Sequence, residues 1–128
     1  IVQRVIVDAC GWVAVIDAAI NIDDALLQLL GPFQLLLLSD VEKELIEINS
    51  KRSKKKSLLL QLLKSKTIIV EAPDDSGNHP DDQILLLAKN EGTHVLTVDT
   101  ELKRRLFDFG IPIIEVAKNK RLRLIDSL

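Results

Sequence analysis

With 128 residues the chain has the length of one domain, and its 47% hydrophobic content is enough to build a single buried core. No apolar run is long enough to span a membrane, the amino terminus lacks a secretion signal, and one cysteine excludes a disulfide framework, so we expect a single cytoplasmic domain over residues 1–128. The net charge of −2, from 17 basic and 19 acidic residues, indicates no general preference for polyanions.

The apolar pattern alternates between the two-residue period of strands and the three- to four-residue period of helices. In chain order it predicts a strand at residues 2–7, helices at 9–20 and 25–30, a strand at 33–38, helices at 39–49 and 57–64, a strand at 67–70, a helix at 81–91, a strand at 94–98, a helix at 100–109, and strands at 112–116 and 121–125. Asp23 or Asp24 is expected to cap the second helix, and Ser39 or Asp40 the third. The order predicts a three-layer α/β/α sandwich around a central, mainly parallel, five-stranded sheet, with residues 121–125 as a half-exposed edge strand.

Three aspartates stand at junctions between these predicted elements. Asp8 follows the first strand, Asp81 opens the helix before the strand at 94–98, and Asp99 follows that strand. In a right-handed crossover a helix starts at the sheet edge where the parallel strands end, so we expect these side chains to converge at the carboxyl edge. Open α/β sheets bind their ligands at that edge, which makes the three aspartates candidate site residues.

Four short motifs follow one another along the chain. They are Asp8-Ala9-Cys10, Val41-Glu42-Lys43-Glu44-Leu45, Asp81-Asp82 followed by Ile84 and Ala88, and Thr97-Val98-Asp99. In this order and spacing they resemble the motifs of PIN-domain ribonucleases, and the resemblance covers essentially the whole chain. The segments after them, at residues 101–106 and 110–114, look more like the ribosome-biogenesis branch of that family than its VapC toxins.

The resemblance implies a PIN-like fold and an endoribonuclease that depends on Mg²⁺ or Mn²⁺. The catalytic and metal-binding acids would be Asp8, Glu44, Asp81 and Asp99, with supporting roles for Thr97 and Asp82. It also implies RNA as the substrate, in rRNA processing or as a toxin-type ribonuclease, and a homodimer, an antitoxin or a ribosome-assembly protein as partner. Hard divalent ions take oxygen ligands, and Mg²⁺ combines a few carboxylates with water and substrate phosphate, so an acidic set suits this chemistry.

Two of these assignments stay open at the level of the sequence. Glu42 and Glu44 flank the apolar stripe of their helix at similar angles, so periodicity does not choose between them. Asp82 competes with Asp81, although Asp81 keeps the family's usual distance to Asp99. Taken singly, each aspartate also has a purely structural explanation as a helix cap or a first-turn acid, roles worth roughly 0.5–2 kcal/mol.

Basic residues form three clusters although the net charge is slightly negative. The first two clusters are the RNA-binding candidates, and we expect them to hold an RNA strand beside the acidic residues. They are Lys51, Arg52, Lys54, Lys55 and Lys56, and Lys103, Arg104 and Arg105. The third is Lys118, Lys120, Arg121 and Arg123. With 3% aromatic residues the chain offers few stacking platforms, so RNA would be held mainly through phosphates and binding would depend strongly on salt.

Two other functions fit parts of the pattern. A non-catalytic PIN-like module that binds RNA or a ribosome-assembly partner would keep the fold without the chemistry. A phospho-receiver domain also has edge aspartates, but it needs an acidic pair after its first strand, and here Asp8 is followed by Ala9 and Cys10. His79, His94 and Cys10 lack partners at ligand spacing, so we expect a loop histidine, a strand histidine and a buried apolar thiol.

Overall fold

The computed structural model describes residues 2–118 and 120–125. Its sheet consists of the strands β1 (Gln3–Val7), β2 (Phe33–Leu38), β3 (Thr67–Val70), β4 (His94–Leu96), β5 (Ile113–Ala117) and β6 (Arg121–Ile125). Their order across the sheet is β3-β2-β1-β4-β5-β6, with β1 to β5 parallel and β6 antiparallel to β5. The chain moves outward from β1 to β3 and then returns to the other side of β1, which leaves a topological switch point between β1 and β4.

Helices fill the connections between the parallel strands. They are α1 (Ala9–Asp17), α2 (Ile22–Leu30), α3 (Ser39–Asn49), α4 (Lys54–Lys64), α5 (Pro80–Glu91) and α6 (Thr100–Asp108). α1 packs against α3 and α4, whereas α5 packs against α6 and β4. The crossovers from β1 to β3 run across the sheet in one direction, and those from β3 to β5 run in the other. Because both are right-handed, they put the helices of the two halves on opposite faces of the sheet. The α/β/α sandwich expected from the sequence is therefore confirmed.

The core forms where helices cover both faces of the central strands. Val5, Ile6 and Val7 of β1 and Leu37 and Leu38 of β2 are fully buried. Double-sided burial accounts for the uninterrupted apolar runs of these strands in the sequence. It also fixes the end of β1 in the middle of the carboxyl edge, immediately before the first candidate aspartate.

Two helices start differently from the sequence prediction. Asn21 caps α2, because its side-chain oxygen accepts from the Asp24 backbone amide at 3.2 Å, and Asp23 and Asp24 lie in the first turn instead. Ser39 and Asp40 likewise lie inside the first turn of α3, which has no side-chain cap. The cap and the first turn of a helix both favour acidic and short polar residues, so a sequence pattern does not separate the two positions.

The basic segment before α4 and the last strand also differ from prediction. α4 begins at Lys54 and not at residue 57 as predicted, so three lysines lie in its first turn, and the Ser53 hydroxyl caps the helix by accepting from the Lys56 amide at 3.3 Å. Positive charges at a helix start oppose the macrodipole, so the local sequence does not favour a helix start at these lysines. β6 pairs with β5 from Ile113↔Ile125 to Ala117↔Arg121, so the sheet has six strands and not the expected five. Within the described ranges, no helix combines the length and the apolar character needed to cross a lipid bilayer.

Candidate functional site

The carboxyl ends of β1 and β4 lie side by side at the switch point of the sheet. Asp8 directly follows β1, and Asp99 stands immediately before α6, the helix that follows β4. The backbone holds the two strand ends together, because the Asp8 amide donates to the Leu96 carbonyl oxygen at 3.3 Å. Both aspartates therefore stand at the edge where open α/β sheets bind ligands.

Hydrogen bonds hold both oxygens of the Asp8 carboxylate, which is only 5% exposed. Oδ1 accepts from the Gly11 backbone amide at 2.7 Å, which makes Asp8 the cap of α1. Oδ2 accepts from the Thr97 hydroxyl at 2.5 Å and from the Cys10 thiol at 3.1 Å. Burial nevertheless raises the pKa of Asp8 against the effect of these hydrogen bonds, and the charge of Asp81 raises it further. A buried, positioned and perturbed carboxylate of this kind is a candidate functional group.

Thr97 joins the two strand-end aspartates through one hydroxyl group. Thr97 is fully buried, and its Oγ1 donates to Asp8 and accepts from the Asp99 backbone amide at 3.1 Å. The Asp99 carboxylate in turn caps α6, because its Oδ1 accepts from the Leu102 amide at 3.0 Å. Both aspartates thus cap helices, and this structural role would account for each aspartate taken alone. Capping does not account for their shared contact with Thr97.

Asp81 and Glu44 reach the same edge from α5 and α3. Burial raises the pKa of Asp81, and the charge of Asp99 raises it further. Burial also raises the pKa of Glu44, and the charges of Asp81 and Asp8 add to that increase. Asp81 is the neighbour that the other three acids share. Its charge raises the pKa of Asp8 and of Glu44, and the charge of Asp99 raises the pKa of Asp81. The structure therefore brings Asp8, Glu44, Asp81 and Asp99 into one electrostatically coupled group, which we call the acidic group.

Ion pairs distinguish the alternatives that the sequence left open. Glu42 pairs with Lys64 of α4 at 3.1 Å, whereas Glu44 responds to the charges of the aspartates. Asp82 pairs with Arg105 of α6 at 2.7 Å, whereas the aspartate before it belongs to the acidic group. In each case the alternative carboxylate is engaged with a cation of the protein, which favours the original assignment.

The basic cluster of α6 begins four residues after Asp99. Each of its members has a carboxylate partner: Lys103 pairs with Glu115, Arg104 with Glu101 and Arg105 with Asp82. The side chain of Lys103 is only 15% exposed, whereas that of Arg104 is 61% exposed. The arginines are therefore the members of this cluster that offer hydrogen-bond donors to solvent near the acidic group.

The other RNA-binding candidates lie at a different place in the fold: Lys51, Arg52, Lys54, Lys55 and Lys56. Arg52 and Lys56 pair with Asp17, the last residue of α1. α1 begins beside Asp8, and its nine residues put its two ends about 13 Å apart. Arg52 and Lys56 therefore lie at the end of α1 that is remote from Asp8, because α3 carries the chain away from the carboxyl edge before the cluster begins, and a contact of this cluster with RNA stays a prediction.

Two residues that were not assigned to the site lie next to the acidic group: His79 contacts the Asp81 backbone, and Gln83 contacts Asp40, which lies one turn before Glu44 on α3. His79 caps α5 by accepting from the Asp81 amide through Nδ1 at 3.2 Å, which requires that nitrogen to be unprotonated; a protonated imidazole at this place would instead lower the pKa of Asp81 against the effect of burial. Gln83 is 2% exposed and donates to Asp40 at 2.7 Å. The sequence contained a signal for each: His79 precedes a proline at the first helical position, and Gln83 is a polar residue on the buried face of α5.

Cys10 also differs from expectation. The thiol is half-buried and polar in its contacts, because it donates to Asp8 and lies 3.7 Å from the Thr97 hydroxyl oxygen. Burial and the neighbouring Asp8 charge raise its pKa to about 11. The thiol is therefore protonated at neutral pH and acts as a hydrogen-bond donor to the carboxylate.

The donor set of the acidic group consists of carboxylate oxygens, which suits Mg²⁺ and Mn²⁺. Within residues 2–118 and 120–125, no three histidine, cysteine or carboxylate side chains are arranged to enclose one metal ion directly. Mg²⁺ does not require such a cage, because it keeps several water molecules and is usually held through one or two carboxylates together with substrate phosphate. The residues present therefore fit a hydrated divalent ion.

Comparison with known proteins gives consistent matches along the chain. A family model described as PIN like domain matches residues 5–119. Ribonuclease VapC4 of Methanocaldococcus jannaschii is 33% identical over 91 residues, which cover 69% of this chain and 70% of that protein.

Two solved structures extend the comparison to the fold. The PIN domain endonuclease Utp24 matches with a TM-score of 0.77 and 22% identity, over 98% of this chain and 92% of that chain. VapBC2 from Rickettsia felis, bound to a DNA fragment from their promoter, matches with a TM-score of 0.62 and 20% identity, over 80% of this chain and 92% of that chain. At these identities the two structures show a shared fold alone.

Proposed function

Because the chain belongs to the family of PIN-like domains, we propose that it is a divalent-metal-dependent endoribonuclease that hydrolyses phosphodiester bonds in RNA. The observation that carries this proposal is the acidic group, in which burial and the charge of Asp81 raise the pKa of both Asp8 and Glu44. The name of the curated relative, a ribonuclease, supports RNA as the substrate.

We assign the binding of Mg²⁺ or Mn²⁺ to Asp8, Glu44, Asp81 and Asp99. When bound, the ion supplies Lewis-acid stabilisation of the negative charge that develops on the phosphate and the leaving oxygen. Burial raises the pKa of Asp8, Glu44 and Asp81, and the repulsion from neighbouring carboxylates that adds to this effect is relieved by a divalent cation as it is by protons. No histidine is needed as a ligand in such a site.

The surrounding residues orient the acids before any ligand arrives. Gly11 and Thr97 fix opposite oxygens of the Asp8 carboxylate, so that side chain cannot rotate without losing hydrogen bonds. Leu102 holds one oxygen of Asp99 through its amide. Groups that orient ligating carboxylates are commonly as important to a metal site as the ligands themselves.

Phosphates of the substrate are assigned to the exposed arginines of α6. Arg104 and Arg105 follow Asp99 within the first two turns of the helix. Their planar guanidinium groups match the geometry of phosphate oxygens, and their present carboxylate partners are exposed and readily exchanged. The partners predicted from the sequence, which are an antitoxin, a ribosome-assembly protein or a second copy of the chain, stay predictions, as does the choice between RNA processing and a toxin-type role.

The proposal is tested by incubating end-labelled structured and unstructured RNA with the protein and Mn²⁺, with EDTA as the blank. Wild type is compared with Asp8→Asn, Asp99→Asn and, as a matched control, Asp108→Asn, which changes an exposed aspartate at the end of α6. We expect cleavage by wild type and the control, and a loss of more than about a hundredfold in the first two variants, because even groups that only orient ligands are worth about 10–100-fold.

The non-catalytic alternative makes a different prediction for the same experiment. A PIN-like binding module would retain RNA in a gel-shift assay without cleaving it under any metal condition. Equal cleavage by wild type and both site variants would contradict the assignment of the acids and point to a contaminating nuclease.

A further inference from the structure

α3 and α5 carry two of the proposed acids, Glu44 and Asp81, yet they pack mainly on different parts of the molecule. α3 packs on α1, α4 and β2, whereas α5 packs on α6 and β4. The separation of these two acids is therefore not fixed by the packing of one helix on the other. A more specific contact must hold the starts of the two helices in register.

Gln83 makes such a contact. It lies two residues after Asp81, and its Nε2 donates to Asp40 Oδ2 at 2.7 Å and to the Gly77 carbonyl oxygen at 2.9 Å. Both partners are acceptors, so the nitrogen and not the oxygen of the amide must face them. Asp40 lies one helical turn before Glu44 on α3. One side chain thus ties α3, α5 and the loop that leads into α5.

The burial of Gln83 is unfavourable in itself. Gln83 shares the buried face of α5 with Ile84, Leu87 and Ala88, where a leucine would pack without any polar atom. Its Oε1 is buried and has no hydrogen-bond partner within the described part of the chain. An unpartnered buried polar atom destabilises the folded state, so its presence calls for an explanation other than stability.

We propose that Gln83 is a positioning residue that sets the separation of Glu44 and Asp81 and thereby the affinity of the acidic group for a divalent cation. This inference rests on the proposed function of that group. Gln83 does not itself touch the cation; it acts through Asp40 and the loop at Gly77, which hold the first turn of α3 against the first turn of α5.

The test is calorimetric titration of Mn²⁺ into the metal-free whole protein without RNA, together with metal-free melting temperatures. Gln83→Leu and Asp40→Ala both break the bridge, and Asp40→Asn keeps an acceptor oxygen while it removes the charge. Thr93→Val is the control for a buried hydroxyl, since Thr93 is 1% exposed and its Oγ1 has no partner among the described residues.

We expect Mn²⁺ to bind about tenfold more weakly in Gln83→Leu and in Asp40→Ala, and no more weakly when the two are combined, because they remove the same bridge. The Mn²⁺ affinities of Asp40→Asn and Thr93→Val should stay within about twofold of the wild-type affinity. A purely structural role for Gln83 would instead lower the melting temperature and leave the Mn²⁺ affinity of the folded protein unchanged.

The outcomes separate this inference from the proposed function. Wild-type affinity in Gln83→Leu, or additive losses in the double variant, overturn the positioning role and leave the proposed function standing. A wild-type protein that binds no Mn²⁺ overturns both. Should Gln83→Leu not fold, Asp40→Ala decides the question, because the Asp40 side chain is 32% exposed and its removal leaves the core intact.

Discussion

At the scale of single residues, Asp8 is held by opposing forces. Near-complete burial favours its protonated form, while hydrogen bonds from Thr97, Cys10 and Gly11 favour the carboxylate. Burial prevails and the charge of Asp81 adds to it, so ionisation of Asp8 costs more free energy in the folded protein than in water when no cation is present. The side chain is thus arranged in advance for the arrival of positive charge.

We predict that Asp8→Asn becomes more stable relative to wild type as the pH rises from about 4 to 7 in EDTA. The folded-state pKa of Asp8 is raised above its unfolded value, so wild type loses stability as the pH rises from the unfolded pKa through the folded one. Asparagine has no such ionisation, and its side-chain oxygen still accepts from the Gly11 amide. Denaturant unfolding of both proteins at several pH values measures the difference.

Glu44 changes in the same direction in this comparison, because the charge of Asp8 helps to raise its pKa and the substitution removes that charge. His94, whose pKa burial lowers, gives wild type and variant the same opposing pH dependence. If the free energy of unfolding of wild type instead rose with pH relative to that of Asp8→Asn, the fold would stabilise Asp8 as an anion, contrary to the raised pKa.

The sequence predicts a site residue when its place beside a strand or a helix is enough to identify it. Asp8 and Asp99 follow strands, and strand ends can be read from apolar runs. The preference for Glu44 over Glu42 was not predictable, because it depends on Lys64, a partner on another helix. The role of Gln83 was hidden for the same reason, since its partner is 43 positions away in sequence.

At the scale of elements, α1 lies unusually close to the end of β4. A Cβ atom on Gly11 would stand 2.7 Å from the Leu96 carbonyl oxygen and 2.8 Å from Asp8 Oδ1, closer than real Cβ atoms approach other atoms. Only glycine lets the first turn of the helix approach the strand this closely. The same approach directs the Gly11 amide at Asp8, so helix packing and site geometry depend on one position.

We predict that Gly11→Ala lowers the free energy of unfolding by about 1–3 kcal/mol, the usual range for overpacking, and weakens Mn²⁺ binding. The added methyl group must displace either the Leu96 backbone or the Asp8 carboxylate. Denaturant unfolding and calorimetry measure the two effects.

Gly110→Ala is the matched control for Gly11→Ala. Gly110 has a φ of 67°, and a Cβ there would meet no described atom within 4 Å. We expect a loss of about 1–2 kcal/mol from backbone strain and an unchanged Mn²⁺ affinity. Equal weakening of Mn²⁺ binding in both glycine variants would contradict the role given to the close approach.

Element boundaries were predictable where composition changes sharply. The bounds of β2, β3 and β6 agree with the sequence prediction, because each is an apolar or alternating run with polar or turn residues on both sides. The start of α4 was missed, since Lys54, Lys55 and Lys56 oppose the helix dipole and only the Ser53 cap and the following leucines make the turn helical. The charges of the lysines disfavour a helix start at this place, whereas the packing of the following leucines favours the helix, and the packing has the larger effect.

At the scale of the whole molecule, the acidic group exists only because the chain returns to β1. Glu44 comes from the crossover on one side of the sheet and Asp81 from the crossover on the other, and β4 pairs with β1 after both. Alternating strands and helices predicted that Asp8, Asp81 and Asp99 meet at one edge, whereas Glu44 was assigned by the family resemblance alone. They did not predict the position of the first basic cluster, which depends on where α3 ends relative to α1.

We predict that Mn²⁺ raises the melting temperature of the wild-type protein. A ligand at one hundred times its dissociation constant stabilises the folded state by about 2.7 kcal/mol, which for a domain of this size corresponds to about 10 °C. Thermal denaturation with and without the ion measures the shift, and the double variant Asp8→Asn, Asp99→Asn should show none. Unchanged melting of wild type with both Mg²⁺ and Mn²⁺ would count against the site.

The two basic clusters make separate predictions for RNA binding. Replacing Arg104 and Arg105 by glutamine should reduce the slope of log affinity against log salt by about 1.4, since each phosphate contact on a single strand contributes about 0.7. Replacing Lys54 and Lys55 by glutamine removes the same charge at a place remote from the acids and should reduce it less. Fluorescence anisotropy with labelled RNA in EDTA measures both slopes, and a larger reduction in the lysine pair would move the RNA path to that end of the molecule.

The order of the strands also determines when the acidic group is completed during synthesis. β1 emerges from the ribosome first and pairs with β2, but its other neighbour, β4, begins only at His94. A nascent chain that has been made as far as β3 holds Asp8 and Glu44 and lacks Asp81 and Asp99, so the acidic group is incomplete at that stage. Translation must continue past β4 before Asp99 joins the other three acids, so the four carboxylates come together only after the strand that pairs with the second side of β1 has been made.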